Sequence, residues 1–205
     1  MPPQIKICYF PAKGRAEPAR LALTVGGVPF EDERIKGDEF VSKKPGLPFG
    51  SLPTMEVDGK LFAQSSAMLR YAGRLSGLYP EDPLEAFKVD MIVDGILDVQ
   101  TPLSATFSIA DPAEKLAARA KIVKEVIPRY VGALDRLIAA EPGEFCANGK
   151  LSIADIFVYT AVNQMRSGML DGVPADCMDG YAAVMKAYNA VAAHPKVQEW
   201  EKAHS

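Results

Sequence analysis

Residues 6–20 read KICYFPAKGRAEPAR: an apolar strand stops at Tyr9, the chain breaks at Phe-Pro, and a helix begins four residues later. The strand signal is the alternation of side-chain character over residues 5–9, and the helix signal is the apolar spacing over residues 15–25. A strand that runs directly into a helix is typical of open α/β sheets, which bind ligands at the carboxyl edge of their strands. The stretch therefore predicts an α/β domain with Tyr9, Lys13 and Arg15 beside its binding edge. Packing alone would also explain these three side chains.

The next 50 residues continue the same pattern of short strands and helices. We expect a second strand over 29–35, a loop over 36–52, a third strand over 54–57, a fourth over 60–63, and a helix from 65 to 77. Asp58-Gly59 is a two-residue hairpin signal, so the third and fourth strands should be antiparallel. These elements form a small mixed sheet with helices.

A proline-rich linker, YPEDP at residues 79–83, separates this region from one with helical periodicity only. Helices are expected over 84–110, 112–140 with a kink at Pro128, from Ser152 onward, 180–192 and 195–203. Ser152 and Asp155 have the spacing of a helix-capping box, which favours a folding role over a catalytic one. The sequence thus predicts two domains, residues 1–79 and 84–205.

Composition and charge argue against several functional classes. The net charge is −3 and the pI about 5.5, which gives no reason to expect a nucleic-acid partner. No segment reaches the roughly 18 apolar residues of a membrane span, and the N-terminus has no secretory signal, so we expect a cytoplasmic protein. Three widely spaced cysteines and two histidines form no zinc pattern, and we expect no metal.

Two further segments point to the same sheet edge as Tyr9. Pro53 directly precedes a strand, and a cis Leu52-Pro53 bond would offer the Leu52 backbone to an extended peptide. Gln64 and Ser65 end a strand and begin a helix, where free N–H groups suit a carboxylate. A tyrosine hydroxyl, an extended-peptide site and an anion site together favour a short anionic peptide as ligand.

Four motifs in this order resemble those of a cytosolic glutathione transferase of the tyrosine type, closest to the sigma class. They are YFPAKGRAEPAR (9–20), PFGSLPTMEVDG (48–59), LFAQSSAMLRYAG (61–73) and LSIADIFVY (151–159), and together they span most of the chain. The resemblance implies a thioredoxin-like N-terminal domain, an all-α C-terminal domain, a homodimer, and glutathione as co-substrate.

The resemblance also implies roles for individual residues. Tyr9 matches the catalytic tyrosine, and Arg15 matches a buried-edge arginine that supports it. Asp98, in DGILDVQ (94–100), matches an aspartate that reaches the γ-glutamyl end of glutathione in the neighbouring subunit. The implied glutathione-binding set is Tyr9, Phe40, Lys44, Ser51, Leu52, Pro53, Gln64, Ser65 and Asp98.

Some positions depart from the family pattern or extend it. Phe40 stands where a tryptophan is usual and Ser51 where glutamine is frequent, so glutathione affinity could be reduced. Phe49 is a candidate dimer contact, with packing over its own loop as the alternative. The only tryptophan, Trp200, favours a packing role. The implied electrophile pocket comprises Phe10, Lys13, Gly14, Thr106 and Phe107, with Tyr159 as a further candidate.

These roles predict an enzyme that adds the glutathione thiolate to small hydrophobic electrophiles. Two alternatives remain open. One is a glutathione-dependent isomerase similar to a prostaglandin synthase, and the other is a non-catalytic ligand-binding or crystallin-like protein. The matching site residues argue against the second alternative, whereas Phe40 and Ser51 leave it open.

Overall fold

A computed structural model of the chain describes residues 2–204. These residues form two compact units: one contains the residues up to Tyr79 together with those from Pro195, and the other is Pro80–His194. The last helix therefore packs with the N-terminal unit, although the sequence grouped it with residues 84–205. The predicted domain division at residues 79 and 84 stays a prediction. Within the described residues, none of the helices has the length and apolarity of a membrane span.

The N-terminal unit contains a four-stranded mixed sheet. Its strands are β1 (Ile5–Tyr9), β2 (Glu31–Arg34), β3 (Thr54–Val57) and β4 (Lys60–Ala63). They lie in the order β2-β1-β3-β4, with β1 parallel to β2 and β3 antiparallel to both β1 and β4. The predicted fold class, a small thioredoxin-like sheet domain followed by a helical domain, is confirmed.

The helices, in chain order, are α1 (Glu17–Gly26), α2 (Gly37–Lys43), α3 (Ser65–Ser76), α4 (Pro83–Ala105), α5 (Pro112–Lys121), α6 (Ile127–Ala139), α7 (Ile153–Arg166), α8 (Ala182–Ala192) and α9 (Pro195–Ala203). Helices α1 and α3 cross closely at Gly26. A Cβ at position 26 would lie 2.3 Å from the Ser76 Cβ, so this crossing requires glycine.

The loop predicted for residues 36–52 was wrong in part, because it contains α2 and a 3-10 turn, Lys44–Gly46. Glu39 Oε2 accepts a hydrogen bond of 2.7 Å from the Lys36 backbone N–H and so stabilises the first turn of α2. At the other end of α2, Lys43 forms an ion pair with Glu33 on β2. Lys43 also lowers the pKa of the Glu33 carboxyl, because its ammonium stabilises the carboxylate.

The helical unit shows two departures from the predicted helices. Helix α4 ends at Ala105 and a 3-10 turn, Thr106–Ser108, follows it. In the predicted helix 112–140, a π-helical segment, Ile122–Val126, separates α5 from α6. Pro128 lies in the first turn of α6, and its nitrogen cannot donate to a carbonyl of the preceding turn. The irregularity expected from Pro128 therefore appears as this wide turn just before it.

The predicted capping box at α7 is confirmed. Ser152 Oγ accepts from the Ala154 N–H at 3.2 Å, while Asp155 Oδ2 accepts from the Ser152 N–H at 2.8 Å. Asp155 Oδ1 also accepts from the Cys146 N–H at 2.6 Å, which fixes the preceding loop. Burial raises the pKa of Asp155, since a carboxylate is costly to desolvate. Asp155 thus has a structural role in starting α7.

Candidate functional site

The strand register brings the three predicted segments to one edge of the sheet. Cys8 pairs with Thr54 on β3, and Thr54 pairs with Ala63 on β4. Tyr9 follows Cys8, Pro53 precedes Thr54, and Gln64 follows Ala63. The ends of β1 and β4 and the start of β3 therefore place these three residues side by side, as the sequence predicted.

The segment after β1, residues 10–16, curls back over the Tyr9 hydroxyl, and we call it the Tyr9 loop. The Arg15 backbone N–H donates to Tyr9 Oη at 3.4 Å. Gly14 has φ +44°, and a Cβ there would lie 2.7 Å from Tyr9 Oη. Glycine is needed at position 14 for two reasons: its backbone conformation and the closeness of the tyrosine.

The arginine that is buried next to Tyr9 is Arg20 and not Arg15. The expectation that Arg15 occupies a buried edge was wrong, because its side chain is exposed. Arg20 is fully buried on α1, and its guanidinium carbon lies 5.8 Å from the centre of the Tyr9 ring. Arg15 lies in the 3-10 turn Gly14–Ala16 and Arg20 lies five residues further along, on α1, so the two side chains lie on different faces. One signal in the sequence was available: Arg20 interrupts an apolar run on α1.

A row of aromatic rings connects Tyr9 to Lys44. The ring of Phe10 lies 5.5 Å from that of Tyr9 and 5.2 Å from that of Phe40, both edge to face. Lys44 Nζ is 5.9 Å from the centre of the Phe40 ring, and its side chain borders Gly50. The aromatic position before the loop lysine is thus filled by Phe40, which lacks the N–H donor of an indole.

The remaining sheet-edge residues are the segments around Pro53 and Gln64. The Leu52-Pro53 peptide bond is cis, as the sequence suggested. Ser51 is exposed and Leu52 half-buried. Gln64 has φ +77° and precedes α3 without capping it through its side chain, so the first N–H groups of α3 lack a side-chain acceptor from Gln64. Ser65 opens this helix and is half-buried.

The residues implied for an electrophile pocket have different environments. Lys13 forms an ion pair with Glu201 on α9. Thr106 is buried, and its hydroxyl donates to the Leu103 carbonyl at 2.7 Å and accepts from Arg119 at 3.0 Å. Thr106 therefore does not line an accessible pocket of the helical unit. Its hydroxyl instead forms hydrogen bonds at the end of α4.

Other residues singled out from the sequence lie at exposed or packed positions. Phe107 is 55% exposed beneath the Arg119 guanidinium, and Phe49 is 65% exposed. Asp98 is exposed on α4, and Tyr159 is buried with its ring stacked on Tyr188 at 5.3 Å. Tyr159 thus packs within the helical unit.

The cysteines provide no activated nucleophile in the described part of the chain. Burial raises the pKa of the Cys8 thiol to about 11, and Glu33 beside it adds to the shift. Burial likewise raises the pKa of Cys146 well above its ordinary value. Over residues 2–204, no group of three or more histidine, cysteine, aspartate or glutamate side chains could hold a metal ion.

Comparisons with known proteins point to one family. Residues 97–204 match the family model described as "Glutathione S-transferase, C-terminal domain". The chain is 35% identical over 198 residues to Glutathione S-transferase 2 of Manduca sexta, with 97% of this chain and 95% of that protein covered. It is 31% identical over 198 residues to the hematopoietic prostaglandin D synthase of Gallus gallus, with the same coverage. The solved structure of prostaglandin synthase D of Nilaparvata lugens superposes with a TM-score of 0.88 at 32% identity, covering 98% of each chain.

Proposed function

Because the chain belongs to the glutathione S-transferase family, we propose that it conjugates the glutathione thiolate to small hydrophobic electrophiles, with Tyr9 stabilising the thiolate. One observation carries this proposal. Tyr9 ends β1 at the sheet edge where the segments of Leu52-Pro53 and Gln64-Ser65 meet, and its hydroxyl lies against the Tyr9 loop.

The proposed role of Tyr9 is to donate its O–H to the sulfur of glutathione. A free thiol has a pKa of about 8.5 and is mostly protonated at neutral pH. Each unit of lowering takes about 1.4 kcal/mol of preferential stabilisation of the thiolate, which one charge-assisted hydrogen bond can supply. The thiol proton then leaves to solvent. With a chlorinated nitrobenzene, the thiolate sulfur bonds to the ring carbon and chloride leaves with the C–Cl electron pair.

The remaining glutathione contacts follow the family resemblance. We assign the glycine carboxylate to Lys44, whose exposed ammonium lies beside Phe40 and Gly50. The backbone of Leu52 pairs with the cysteinyl portion. The γ-glutamyl carboxylate is bound by Gln64, Ser65 and the N–H groups at the start of α3. Phe40 and Ser51 supply fewer hydrogen bonds than tryptophan and glutamine would, and this lowers the affinity for glutathione.

A homodimer completes the proposed site. Asp98 is exposed on α4, where a second subunit can reach it, and there its carboxylate binds the γ-glutamyl amine of the partner's glutathione. Phe49 exposes 65% of its surface in the loop before Ser51, and we assign it to the subunit interface.

The test compares the native protein with Tyr9→Phe in conjugation of glutathione to a chlorinated nitrobenzene. We expect Tyr9→Phe to lower kcat/KM by about 10- to 100-fold at neutral pH, since the lost hydrogen bond is to a charged sulfur. Tyr130→Phe removes a hydroxyl from α6 in the other unit and should leave kcat/KM within about twofold. Native protein that binds glutathione without turnover would contradict the transferase proposal and favour a non-catalytic binder.

A second candidate is a glutathione-dependent isomerase, favoured by the two prostaglandin synthases among the similar proteins. Both reactions use the glutathione thiolate that Tyr9 is proposed to stabilise. The isomerase returns glutathione unchanged, whereas the transferase consumes one thiol for each product. Counting free thiols during turnover therefore separates the two.

A further inference from the structure

Two charged side chains are buried directly beneath the Tyr9 loop. The side chains of Arg20 and Glu17 are 0% and 3% exposed, and Arg20 Nη1 lies 3.3 Å from Glu17 Oε2. Arg20 Nε also donates to Asp32 on β2 at 2.8 Å, and Asp32 in turn binds Arg34 at 2.9 Å. Two carboxylates thus neutralise two guanidinium groups, as burial of charge requires.

The guanidinium of Arg20 also holds the backbone of the Tyr9 loop. Its Nη1 donates to the Ala12 carbonyl at 2.8 Å and approaches the Lys13 carbonyl at 3.3 Å. These carbonyls immediately precede Gly14, where an added Cβ would lie 2.7 Å from the Tyr9 hydroxyl, and Arg15, whose N–H donates to that hydroxyl. The orientation of Arg20 therefore determines where the loop lies relative to the hydroxyl.

Helix α9 reaches this cluster from the other end of the chain. Trp200 Nε1 donates to Glu17 Oε1 at 2.7 Å, and the Trp200 ring packs on Phe30 at 5.9 Å. The indole thus binds one oxygen of the Glu17 carboxylate, while Arg20 contacts the other. A planar carboxylate fixed on one side presents its second oxygen in a defined direction.

We propose that Trp200 is a positioning residue for the Tyr9 hydroxyl: it fixes Glu17, Glu17 orients Arg20, and Arg20 holds the carbonyls of Ala12 and Lys13. This inference rests on the proposed function, because the hydroxyl that is positioned is the one assigned to the glutathione sulfur. Helix α9 thereby contributes to the placement of the Tyr9 hydroxyl.

The test is Trp200→Phe in the full-length protein, with Lys196→Met as the matched control. Phenylalanine keeps an aromatic ring at this position but lacks the N–H that donates to Glu17 and part of the ring surface that contacts Phe30 and His204. Lys196 Nζ donates to the Val25 carbonyl at 2.9 Å, so Lys196→Met also removes one hydrogen bond between α9 and α1, away from the charged cluster.

We expect Trp200→Phe to lower kcat/KM for conjugation about fivefold at pH 6.5 and to converge on the native value at alkaline pH, where the thiol ionises unaided. Its dissociation constant for glutathione should stay within about twofold. Lys196→Met should match the native pH profile. Equal pH profiles for the two variants, or a loss in Trp200→Phe that is the same at every pH, would overturn the proposal.

A second measurement does not depend on catalysis. Amide hydrogen exchange of residues 13–15 should accelerate about tenfold in Trp200→Phe and stay unchanged in Lys196→Met, because only the first variant releases Arg20. Unchanged exchange in Trp200→Phe would overturn the proposal that Trp200 positions the Tyr9 loop through Glu17 and Arg20, and this outcome does not depend on the activity of the chain. Accelerated exchange in a chain where Tyr9→Phe has no effect on turnover supports this positioning by Trp200 and refutes the function assigned to Tyr9.

Discussion

Alanine at position 14 tests how closely the Tyr9 hydroxyl is confined. The added Cβ would lie 2.7 Å from Tyr9 Oη and 2.8 Å from Cε1, whereas ordinary contacts begin at 3.4 Å. The ring must therefore move by about 0.7 Å. A misplacement on this scale costs roughly 10- to 100-fold in rate when the displaced group acts on the reacting atom. The φ of +44° adds a backbone cost of about 1–2 kcal/mol for any residue with a Cβ.

Gly59→Ala separates the two effects. Gly59 also has a positive φ, +77°, but among residues 2–204 no non-neighbouring atom lies within 4 Å of the position of its Cβ. We expect Gly59→Ala to lose about 1–2 kcal/mol of unfolding free energy in urea titrations, and Gly14→Ala to lose at least as much because its Cβ also meets the Tyr9 ring. Only Gly14→Ala should also lose kcat/KM, by at least tenfold. A folded Gly14→Ala protein with native kcat/KM would refute the proposed confinement of Tyr9.

Two further predictions concern the dimer and a buried thiol. Asp98→Ala should weaken glutathione binding by about tenfold or more in calorimetry, because it removes a charged contact. Asp94→Ala, which makes the same change of charge one turn earlier on α4, should leave the affinity unchanged. Unchanged affinity in a monomeric Asp98→Ala protein would contradict the shared site. For Cys8, the pKa rises from 9.0 unfolded to about 11 folded, so its contribution to stability is complete below pH 9 and is lost as the pH rises through 11. In Cys8→Ala, the fall of the unfolding free energy between pH 9 and 11 should be shallower by up to about 1.4 kcal/mol per pH unit, and a parallel curve would contradict the assigned shift.

The strands and most helices could be predicted because their signals are local. Alternation over residues 5–9, the Asp58-Gly59 turn and the Ser152 cap each depend on neighbours in the sequence. Helix α2 was missed because its seven residues begin at a glycine and end before Lys44-Pro45, while the Lys43–Glu33 ion pair that ties it to β2 joins distant residues. Short helices of this kind depend on tertiary contacts more than on propensity.

The residues at the sheet edge of the candidate site could be predicted from the sequence. The buried residues beneath the Tyr9 loop could not. The sheet edge that unites Tyr9, Pro53 and Gln64 follows from strand order and register, which the hairpin signal partly determines. Arg15 lies in the 3-10 turn before α1 and Arg20 lies on α1, and which of the two is buried depends on tertiary packing around these elements. The contact between Glu17 and Trp200 joins residues 183 positions apart, and no local pattern predicts it.

The proposed role of Tyr9 is tested by the acidity of the thiol of glutathione bound to the native protein and to Tyr9→Phe. The fraction of thiolate is followed by its ultraviolet absorbance as the pH is raised, with the protein in excess over glutathione. We expect an apparent thiol pKa about one to two units below the free value of about 8.5 in the native complex, and a return towards 8.5 in Tyr9→Phe. Equal thiol pKa values in the two complexes would contradict the claim that the Tyr9 hydroxyl stabilises the thiolate.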